Sequence, residues 1–393
     1  MKRNYHICFI TGRYPSGKTP SNIFVAQLIS AIADQGVRCT VIAPQSVSNQ
    51  ILRKSEHTDR KREIVTHKGN IITIFSPRYL SFSSKKFFVF NTINLTVFSS
   101  LRVALKEYKK QKIEADMFYG HFISPNGIIA TELGKRYNKP SFFANGEDSL
   151  SHLKNINHHL IESTLSNISG IVAVSSKNKQ EIFDMFPRHN LAGKVQVFPN
   201  GIDNTVFYQM SRFEARKQLG FNQKVFIVVF TGSFSHRKGS ARLSKALDEL
   251  EDVYSIFIGE GASVPTCKNI LFSGPLAHGD INLYLNAANV FVLPTLSEGC
   301  SNAIVEAMAV GLPVISSDGK FNDDILTAGN SIRIDPENIE QIKNAILELY
   351  HNPELQRKMG IESQKIAKEL TVEARATNIL QFLSEMSSKS GIS

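Results

Sequence analysis

Two glutamates, Glu298 and Glu306, lie in the stretch whose residue types are best suited to holding a ligand. Gly299 permits a tight turn and a close approach of a ligand to the backbone. Ser301 or Asn302 can then cap a helix, whose first N–H groups and dipole favour anionic oxygens. One carboxylate precedes this helix and the other lies about a turn inside it. Such a pair can hold two hydroxyl-rich parts of one ligand, with a phosphate between them.

A simpler interpretation makes Glu298 an exposed loop residue and Glu306 a solvated helix residue, because two glutamates at this spacing alone mean little. The surrounding string is more specific. It follows an apolar strand, starts a helix and continues through Ala-Met-Ala and Gly-Leu-Pro into another apolar strand. The complete string therefore favours a ligand site over a solvated surface.

A second candidate, residues 12–19, matches the phosphate-binding pattern GxxxxGK[ST] letter for letter. It follows a predicted strand and precedes a predicted helix, as a P-loop requires. However, Pro20 removes one backbone N–H, and Ser21 or Asn22 fits better as the helix N-cap. The nearest strand-ending Asp that could hold Mg²⁺ is Asp335, which follows a poor strand. A P-loop nucleotidase or kinase using residues 12–19 remains an alternative function.

These residues need a framework, and both halves of the chain alternate short β-branched runs with longer amphipathic ones. This alternation predicts an α/β fold with parallel sheets. A strong turn signal at 198–201 separates the halves. We expect domains at 1–198 and 199–365, and a C-terminal helix at 366–393 that crosses back to the first domain and ends in a loose tail. This helix is the end of one continuous helix predicted from about Pro353 to Met386.

Charge is distributed unevenly along the 393 residues. Residues 1–200 hold 27 Lys+Arg and 13 Asp+Glu (+14), which leaves 45−27=18 against 35−13=22 (−4) for the remainder. A basic first half is either a solvated face or a surface attracted to anionic lipid or nucleic acid. The sequence lacks the motifs of nucleic-acid-binding domains, so we expect no nucleic-acid partner. Four scattered cysteines without a CxxC pair fit reduced thiols in the cytoplasm, and residues 1–10 resemble a first strand more than a signal peptide.

The string from Glu298 to Glu306 resembles the E-x7-E signature of retaining glycosyltransferases with the GT-B fold, in particular glycosyltransferase family 4. Other segments resemble the same family in the same order. They are the "VS" step at 174–176, the "PNGxD…F" element at 198–207 and the glycine turn with its basic RKG element at 230–239. The resemblance covers nearly the whole chain and is strongest from about 170 to 315. It implies two Rossmann-like domains that face each other across a cleft.

The resemblance also implies roles in the second domain. Arg237 and Lys238 would neutralise the donor diphosphate, Glu306 would bind ribose hydroxyls and Glu298 would bind hydroxyls of the donor sugar. The implied donor-binding residues are Gly12, Gly232, Ser233, Arg237, Lys238, Gly274, Glu298, Gly299, Cys300, Ser301, Asn302 and Glu306.

In the first domain, His121 matches a family histidine near the reacting sugar carbon, although a lone His is more often structural. The implied catalytic residues are Glu298, His121, Lys238 and Arg237. Asn145-Gly146-Glu147-Asp148 resembles an "HGxD" loop with Asn in place of His, which implies that Asn145 and Asp148 lie on the acceptor side.

Three positions depart from the family pattern. Ser233 stands where an Arg often follows the glycine, so Arg13 or Arg237 would have to supply that charge. Ser21-Asn22 replaces a Gly-Gly pair, and residues 319–324 replace a "GGxPE" loop. The last two departures can reshape the acceptor and donor-sugar pockets, but none affects the E-x7-E pair.

The expected function is transfer of a hexosyl group from a UDP- or GDP-sugar to an acceptor hydroxyl, with retention at the anomeric carbon. We expect a glycan or lipid-linked acceptor, no cofactor and no catalytic metal. The expected setting is bacterial surface polysaccharide or lipopolysaccharide assembly, in the cytoplasm and peripherally on the inner membrane face. A non-catalytic nucleotide-sugar-binding protein of the same fold is a further alternative.

Overall fold

The structure is a computed structural model that separates into two compact units, the first formed by Met1–Phe198 with Arg375–Ser393 and the second by Pro199–Ala374. Each unit contains its own parallel sheet. The structure describes residues 5–12, 14–15, 22–48, 59–82, 86–87 and 90–389.

The first unit is built on a sheet with the strand order β12-β11-β10-β9-β1-β2-β5-β4, in which only β4 is antiparallel to its neighbour. Two small ribbons pair β3 with β6 and β7 with β8. The strands are β1 (His6–Thr11), β2 (Arg38–Ile42), β3 (Gln45–Ser46), β4 (Lys61–Val65), β5 (Ile71–Phe75), β6 (Arg78–Tyr79), β7 (Lys86–Phe87), β8 (Phe90–Asn91), β9 (Met117–His121), β10 (Ser141–Asn145), β11 (Gly170–Ala173) and β12 (Val195–Val197).

Helices of the first unit bury one face against this sheet. Ile182 packs in one hydrophobic cluster with β10 and β11, and Ala104 and Tyr108 pack in another with β1 and β9. Such stripes at helical spacing are what hold an α/β layer together. The helices are α1 (Ile23–Ala33), α2 (Ile93–Lys110), α3 (Ile128–Tyr137), α4 (His158–Asn167) and α5 (Ser176–Met185), with short helical turns at Ile123–Gly127 and Ser151–Asn155.

The second unit contains six parallel strands in the order β15-β14-β13-β16-β17-β18. The residues of β13, β16 and β17 are all buried, which matches their continuous apolar sequence. The strands are β13 (Phe226–Thr231), β14 (Val253–Ile258), β15 (Ile270–Gly274), β16 (Val290–Leu293), β17 (Val314–Ser317) and β18 (Ser331–Ile334). The helices are α6 (Arg212–Leu219), α7 (Ser240–Asp248), α8 (Ile281–Ala287), α9 (Asn302–Ala309), α10 (Ile339–His351) and α11 (Pro353–Glu369), with short turns at His278–Asp280 and Lys320–Asn322.

Both sheets reverse their strand order at one position. Within the second unit the order is 3-2-1-4-5-6, with the reversal between β13 and β16. The first unit reverses between β1 and β9, where Thr11 pairs with His121. In open α/β sheets, ligands bind beyond the carboxyl ends of the strands at such a switch point. The α/β architecture with parallel sheets that the sequence predicts is therefore present in both units.

The C-terminal region differs from the single helix predicted from the sequence. It forms two helices, α11 and α12 (Val372–Lys389). The helix breaks between them because the backbone around Thr371 pairs with Ile202. Ile202 donates its N–H to Leu370 O at 2.8 Å and accepts the N–H of Val372 at 2.9 Å.

The chain returns to the first unit at Arg375. The sequence analysis placed this boundary between the second domain and the C-terminal helix at 365/366. Helix α11 stays with the second unit, since Ser363 Oγ donates to Leu312 O at 2.8 Å.

Candidate active site

The switch point of the second unit brings two cations onto one carboxylate. Glu298, only 7% exposed, follows β16, while Arg237 and Lys238 lie in the loop after β13. Glu298 Oε1 is 2.6 Å from Lys238 Nζ and 3.1 Å from Arg237 Nη1. The same oxygen accepts the hydroxyl of Thr295 at 2.9 Å. Two cations on one anion leave a net positive charge, which suits a negatively charged ligand group.

Close backbone packing holds the basic loop against the loop after β16. Gly239 has φ +82°, and a Cβ built there would lie 2.3 Å from Pro294 O. Arg242, one turn into α7, donates to Pro294 O at 2.8 Å and to the carbonyls of His236 and Pro336, each at 2.7 Å. These contacts fix the positions of Arg237 and Lys238 relative to Glu298.

The N-terminus of α9 supplies neutral hydrogen-bonding groups. Ser301 is its N-cap, but its side chain makes no capping bond. Ser301 Oγ and Asn302 Oδ1 are buried and have no hydrogen-bond partner among the described residues. The first-turn N–H groups of a helix have no partner within the helix itself. This end of α9 can therefore donate to a ligand oxygen from the Ser301 hydroxyl and the backbone N–H groups, while Asn302 Oδ1 can accept a ligand hydroxyl.

Gly299 and Cys300 are buried beside this helix start. Asn200 holds Cys300 in place, because its Nδ2 donates to Cys300 O at 2.9 Å and its backbone N–H lies 3.4 Å from Cys300 Sγ. The sequence indicated the element around Asn200 but not this contact.

Glu306 lies on α9 and is partly buried. Desolvation raises the pKa of its carboxyl from the ordinary 4.5 to about 7, against the opposing effect of nearby Lys238. Glu306 therefore lies near Lys238, as Glu298 does. Glu298 forms ion pairs with both cations, whereas desolvation dominates the surroundings of Glu306.

The glycine turns lie at the same edge of the sheet. Gly232 donates its N–H to Ile258 O, and Gly259 donates its N–H to Gly274 O, each at 2.9 Å. A Cβ on Gly259 would lie 1.9 Å from Gly232 O, so these loops pack backbone against backbone. Ser233 is exposed, with its Oγ 3.1 Å from Ser235 Oγ. Gly274 ends β15, two strands from β13.

His121 ends β9 at the switch point of the first unit and is only 4% exposed. Neither ring nitrogen has a hydrogen-bond partner among the described residues, and the rings of Phe24 and Phe122 lie 5.4 and 4.5 Å away. Burial, together with the charge of Arg375, lowers the pKa of the imidazole to about 3. His121 is therefore neutral at physiological pH and offers one donor and one acceptor.

Gly12 directly follows the neighbouring strand β1 and is exposed. Within the P-loop-like segment, Arg13 and residues 16–19, which include Lys18, lie outside the described residues. Helix α1 begins at Ile23 with Asn22 as its N-cap, four positions after the Lys-Thr pair that would open a P-loop helix.

The predicted acceptor-side residues lie at the end of β10 and in the loop that follows it. Asn145 is fully buried and donates from Nδ2 to Asn178 O at 3.1 Å, whereas Asp148 is exposed and its carbonyl accepts Lys177 Nζ at 2.6 Å. Between them lies Glu147, which the sequence did not single out. Its carboxylate accepts the N–H of Ile123 at 3.3 Å, and burial raises its pKa to about 7. Its position after a strand at the carboxyl edge of a parallel sheet was the signal that could have identified it.

Within each unit, the described site residues thus lie near the carboxyl ends of the strands, and several of them lie at the switch point. Among the described residues, no cluster of three or more His, Cys, Asp or Glu side chains is arranged to hold a metal ion. Asp323 is paired with Arg333 at 2.9 Å. No helix in the described part of the chain is long and apolar enough to cross a membrane.

Comparisons with known proteins find relatives of this chain in sequence and in structure. Residues 211–366 match the family model described as glycosyl transferases group 1. The chain is 26% identical over 359 residues to TuaC of Bacillus subtilis (strain 168), described as a teichuronic acid biosynthesis glycosyltransferase. That match covers 88% of this chain and 89% of TuaC.

Solved structures share the fold. Sucrose-phosphate synthase from Thermosynechococcus elongatus superposes with a TM-score of 0.75 at 19% identity, covering 97% of this chain and 99% of that one. HepE of Anabaena, solved in complex with UDP and glucose, gives 0.70 at 17% identity, with coverage of 97% and 99%. The chain therefore has the GT-B fold. The segment that matches the glycosyl transferases group 1 model lies in its second unit.

Proposed function

We propose that the chain is a retaining hexosyltransferase that uses a UDP- or GDP-sugar donor. The observation that carries this proposal is the convergence of Arg237 and Lys238 on Glu298, next to the start of α9. A nucleoside diphosphate sugar presents two phosphates, a ribose and a sugar, and the site offers cations, helix N–H groups and two carboxylates. UDP is bound in the related HepE structure, which supports a uridine nucleotide as the first donor to test.

In the proposed reaction, the bond between the anomeric carbon and the diphosphate oxygen breaks while the acceptor oxygen bonds to the same face of that carbon. Negative charge develops on the departing diphosphate, where Arg237 and Lys238 stabilise it. The acceptor proton passes to a diphosphate oxygen, so no side-chain base is required. Glu298 keeps both cations in place and accepts hydroxyls of the donor sugar, while Glu306 accepts ribose hydroxyls.

His121 is proposed to hydrogen-bond a sugar hydroxyl as a neutral imidazole. A general base works best with a pKa near the operating pH, and the pKa of about 3 makes His121 poorly suited to that role. Asn145 and Asp148 are proposed to serve the acceptor side. The teichuronic acid relative supports an acceptor in bacterial surface glycan assembly, and we extend this to a lipid-linked acceptor at an anionic membrane surface.

The test is a thermal-shift screen of nucleotide sugars, followed by assays for release of UDP or GDP and for product anomeric configuration. We expect Lys238→Ala to reduce transfer by about a hundredfold or more, since it removes a cation from the developing negative charge. Glu306→Ala should weaken nucleotide binding. The matched control is Lys245→Ala, an exposed lysine on α7 that should retain wild-type turnover.

Three outcomes would contradict the proposal. Turnover like wild type in both Lys238→Ala and Glu306→Ala would reject the site. Donor binding without any transfer would identify a non-catalytic binding protein of this fold. Mg-dependent ATP hydrolysis that is lost in Lys18→Ala would identify a P-loop nucleotidase.

A further inference from the structure

Helix α2 in the first unit has two distinct faces. Val97, Ser100, Ala104 and Tyr108 recur at helical spacing and are buried, and the Tyr108 ring lies 5.2 Å from that of Phe118. This face packs on the sheet. The opposite face carries exposed residues at the same spacing, namely Leu95, Phe98, Arg102, Lys106 and Lys109.

The exposed face changes character along the helix. Leu95 and Phe98, at the N-terminal end, are 51% and 46% exposed. The remaining exposed residues, toward the C-terminal end, are basic. The whole helix carries four Lys or Arg and one Glu, a net charge of 4−1=+3. Large apolar side chains are rarely left exposed together on a soluble surface without a partner.

The segment that follows β6 extends the same surface. Phe82 donates its N–H to Thr96 Oγ1 at 2.9 Å, and Leu80 donates its N–H to Ser99 Oγ at 3.2 Å. Leu80 and Phe82 are 57% and 46% exposed. These contacts place the segment along the N-terminal half of α2. Leu80, Phe82, Leu95 and Phe98 are called here the apolar patch, and Arg102, Lys106 and Lys109 the basic stripe.

We propose that the apolar patch and the basic stripe together bind the surface of an anionic lipid bilayer. The patch supplies side chains that can enter the boundary between headgroups and acyl chains, and the stripe supplies cations at headgroup level. Interfacial binding helices combine these two features, whereas a helix that spans the bilayer requires about 20 apolar residues. A second protein copy is less well matched, because two such surfaces in contact would bring basic stripes of the same charge together.

This inference deepens the proposed function, because it rests on the proposed lipid-linked acceptor and identifies the part of the chain that meets the membrane. Its test does not depend on glycosyl transfer. The full chain is sedimented with vesicles of phosphatidylcholine alone and of phosphatidylcholine mixed with phosphatidylglycerol, at low and high salt. We expect binding only to the mixed vesicles, weakened by salt.

Two double variants separate the contributions. Phe82→Ser with Phe98→Ser should reduce binding to mixed vesicles at least roughly tenfold, through lost apolar insertion. Lys106→Glu with Lys109→Glu should reduce it by a similar factor and remove much of the salt dependence. The matched controls lie in the second unit. They are Phe213→Ser with Ile361→Ser, whose side chains are 57% and 54% exposed, and Lys217→Glu with Lys224→Glu, whose side chains are also exposed.

Circular dichroism melting and thermal-shift donor binding show whether each variant still folds. The proposal is overturned if both pairs of variants bind as wild type, or if the controls lose binding equally. It is also overturned if sedimentation velocity without lipid shows a dimer that the serine variant dissociates while vesicle binding is unchanged, since the patch would then bind a second copy. If the wild-type chain binds mixed vesicles but turns over no donor, only the proposed transferase activity is rejected.

Discussion

Glu298 and Glu306 carry the same side chain but have different partners. Glu298 is buried, and one of its carboxylate oxygens contacts two cations and a hydroxyl. Its negative charge is therefore neutralised by direct ion pairs. Glu306 is desolvated, and the favourable charge of Lys238 only partly offsets this effect. Nucleotide binding would bring hydroxyl donors to Glu306. The raised pKa of Glu306, about 7, makes its charge depend on pH near neutrality.

The first prediction concerns the pH dependence of stability in Glu306→Gln. The folded chain holds the Glu306 proton more tightly than the unfolded chain, because the pKa is about 7 when folded against an ordinary 4.5. This group therefore makes the free energy of unfolding fall as pH rises from about 4.5 to about 7, and level off above that. Glu306→Gln removes this loss. The free energy of unfolding of the variant, relative to that of wild type, should therefore be about 2 kcal/mol higher at pH 8 than at pH 5. Urea unfolding at both values measures it.

The control is Glu251→Gln, in which the replaced glutamate is exposed and follows α7. It should change stability equally at both pH values. A difference between wild type and Glu306→Gln that does not vary with pH would show that Glu306 is ionised at no cost in the fold.

The residues that share a site were predictable from sequence where a motif spans several elements. Arg237, Lys238 and Glu298 were assigned to one site from separate segments, and the structure brings their charged atoms together. Asn200 and Glu147 show the limit, because the first contacts Cys300 across 100 positions and the second meets Ile123 across 24. Neither contact follows from local pattern. The proposed roles of these residues stay predictions until the variants are measured.

At the scale of elements, Gly239 joins the basic loop to α7. The second prediction is that Gly239→Ala destabilises the second unit by about 1–3 kcal/mol, since φ is +82° and the new Cβ would meet Pro294 O at 2.3 Å. Relieving that contact should move Arg237 and Lys238 away from Glu298, so affinity for the donor should fall as well. Chemical unfolding and calorimetric titration with UDP measure the two effects.

The matched control is Gly279→Ala, where a Cβ meets no atom within 4 Å. It should change stability by less than about 0.5 kcal/mol and leave UDP affinity unchanged. Equal effects of the two substitutions would show that the loop tolerates a side chain at Gly239.

The buried parallel strands of both sheets were predictable from sequence because they are continuous apolar runs, whereas the half-exposed antiparallel strand β4 was not predicted. Strand β17 (Val314–Ser317) lies directly after Gly-Leu-Pro, where the sequence predicts an apolar strand. The strand order was not predictable, because it depends on pairings between distant segments. The break between α11 and α12 was also missed, because apolar residues keep helical spacing across Leu370 and only the pairing with Ile202 interrupts the helix.

At the scale of the whole molecule, the C-terminal helix belongs to the core of the first unit although it follows the second in the chain. The third prediction is that Phe382→Ala destabilises the first unit by about 3–5 kcal/mol. The Phe382 ring is 8% exposed and lies 5.7 Å from the ring of Phe198 and 6.4 Å from that of Phe142. Its loss would leave a cavity next to Gly170 in β11.

Hydrogen exchange can assign this loss to one unit. Amides of β10 and β11 should exchange faster in Phe382→Ala, because opening of the first unit becomes less costly, while those of β13 and β16 should keep their wild-type rates. UDP should still stabilise the second unit by mass action, by about 2.7 kcal/mol at a hundredfold excess over its dissociation constant. Phe213→Ala, which removes an exposed ring, should leave both sheets unchanged. Faster exchange of β13 in Phe382→Ala to the same extent as β10 would mean that the two units unfold as one, and the independent role of each core would be rejected.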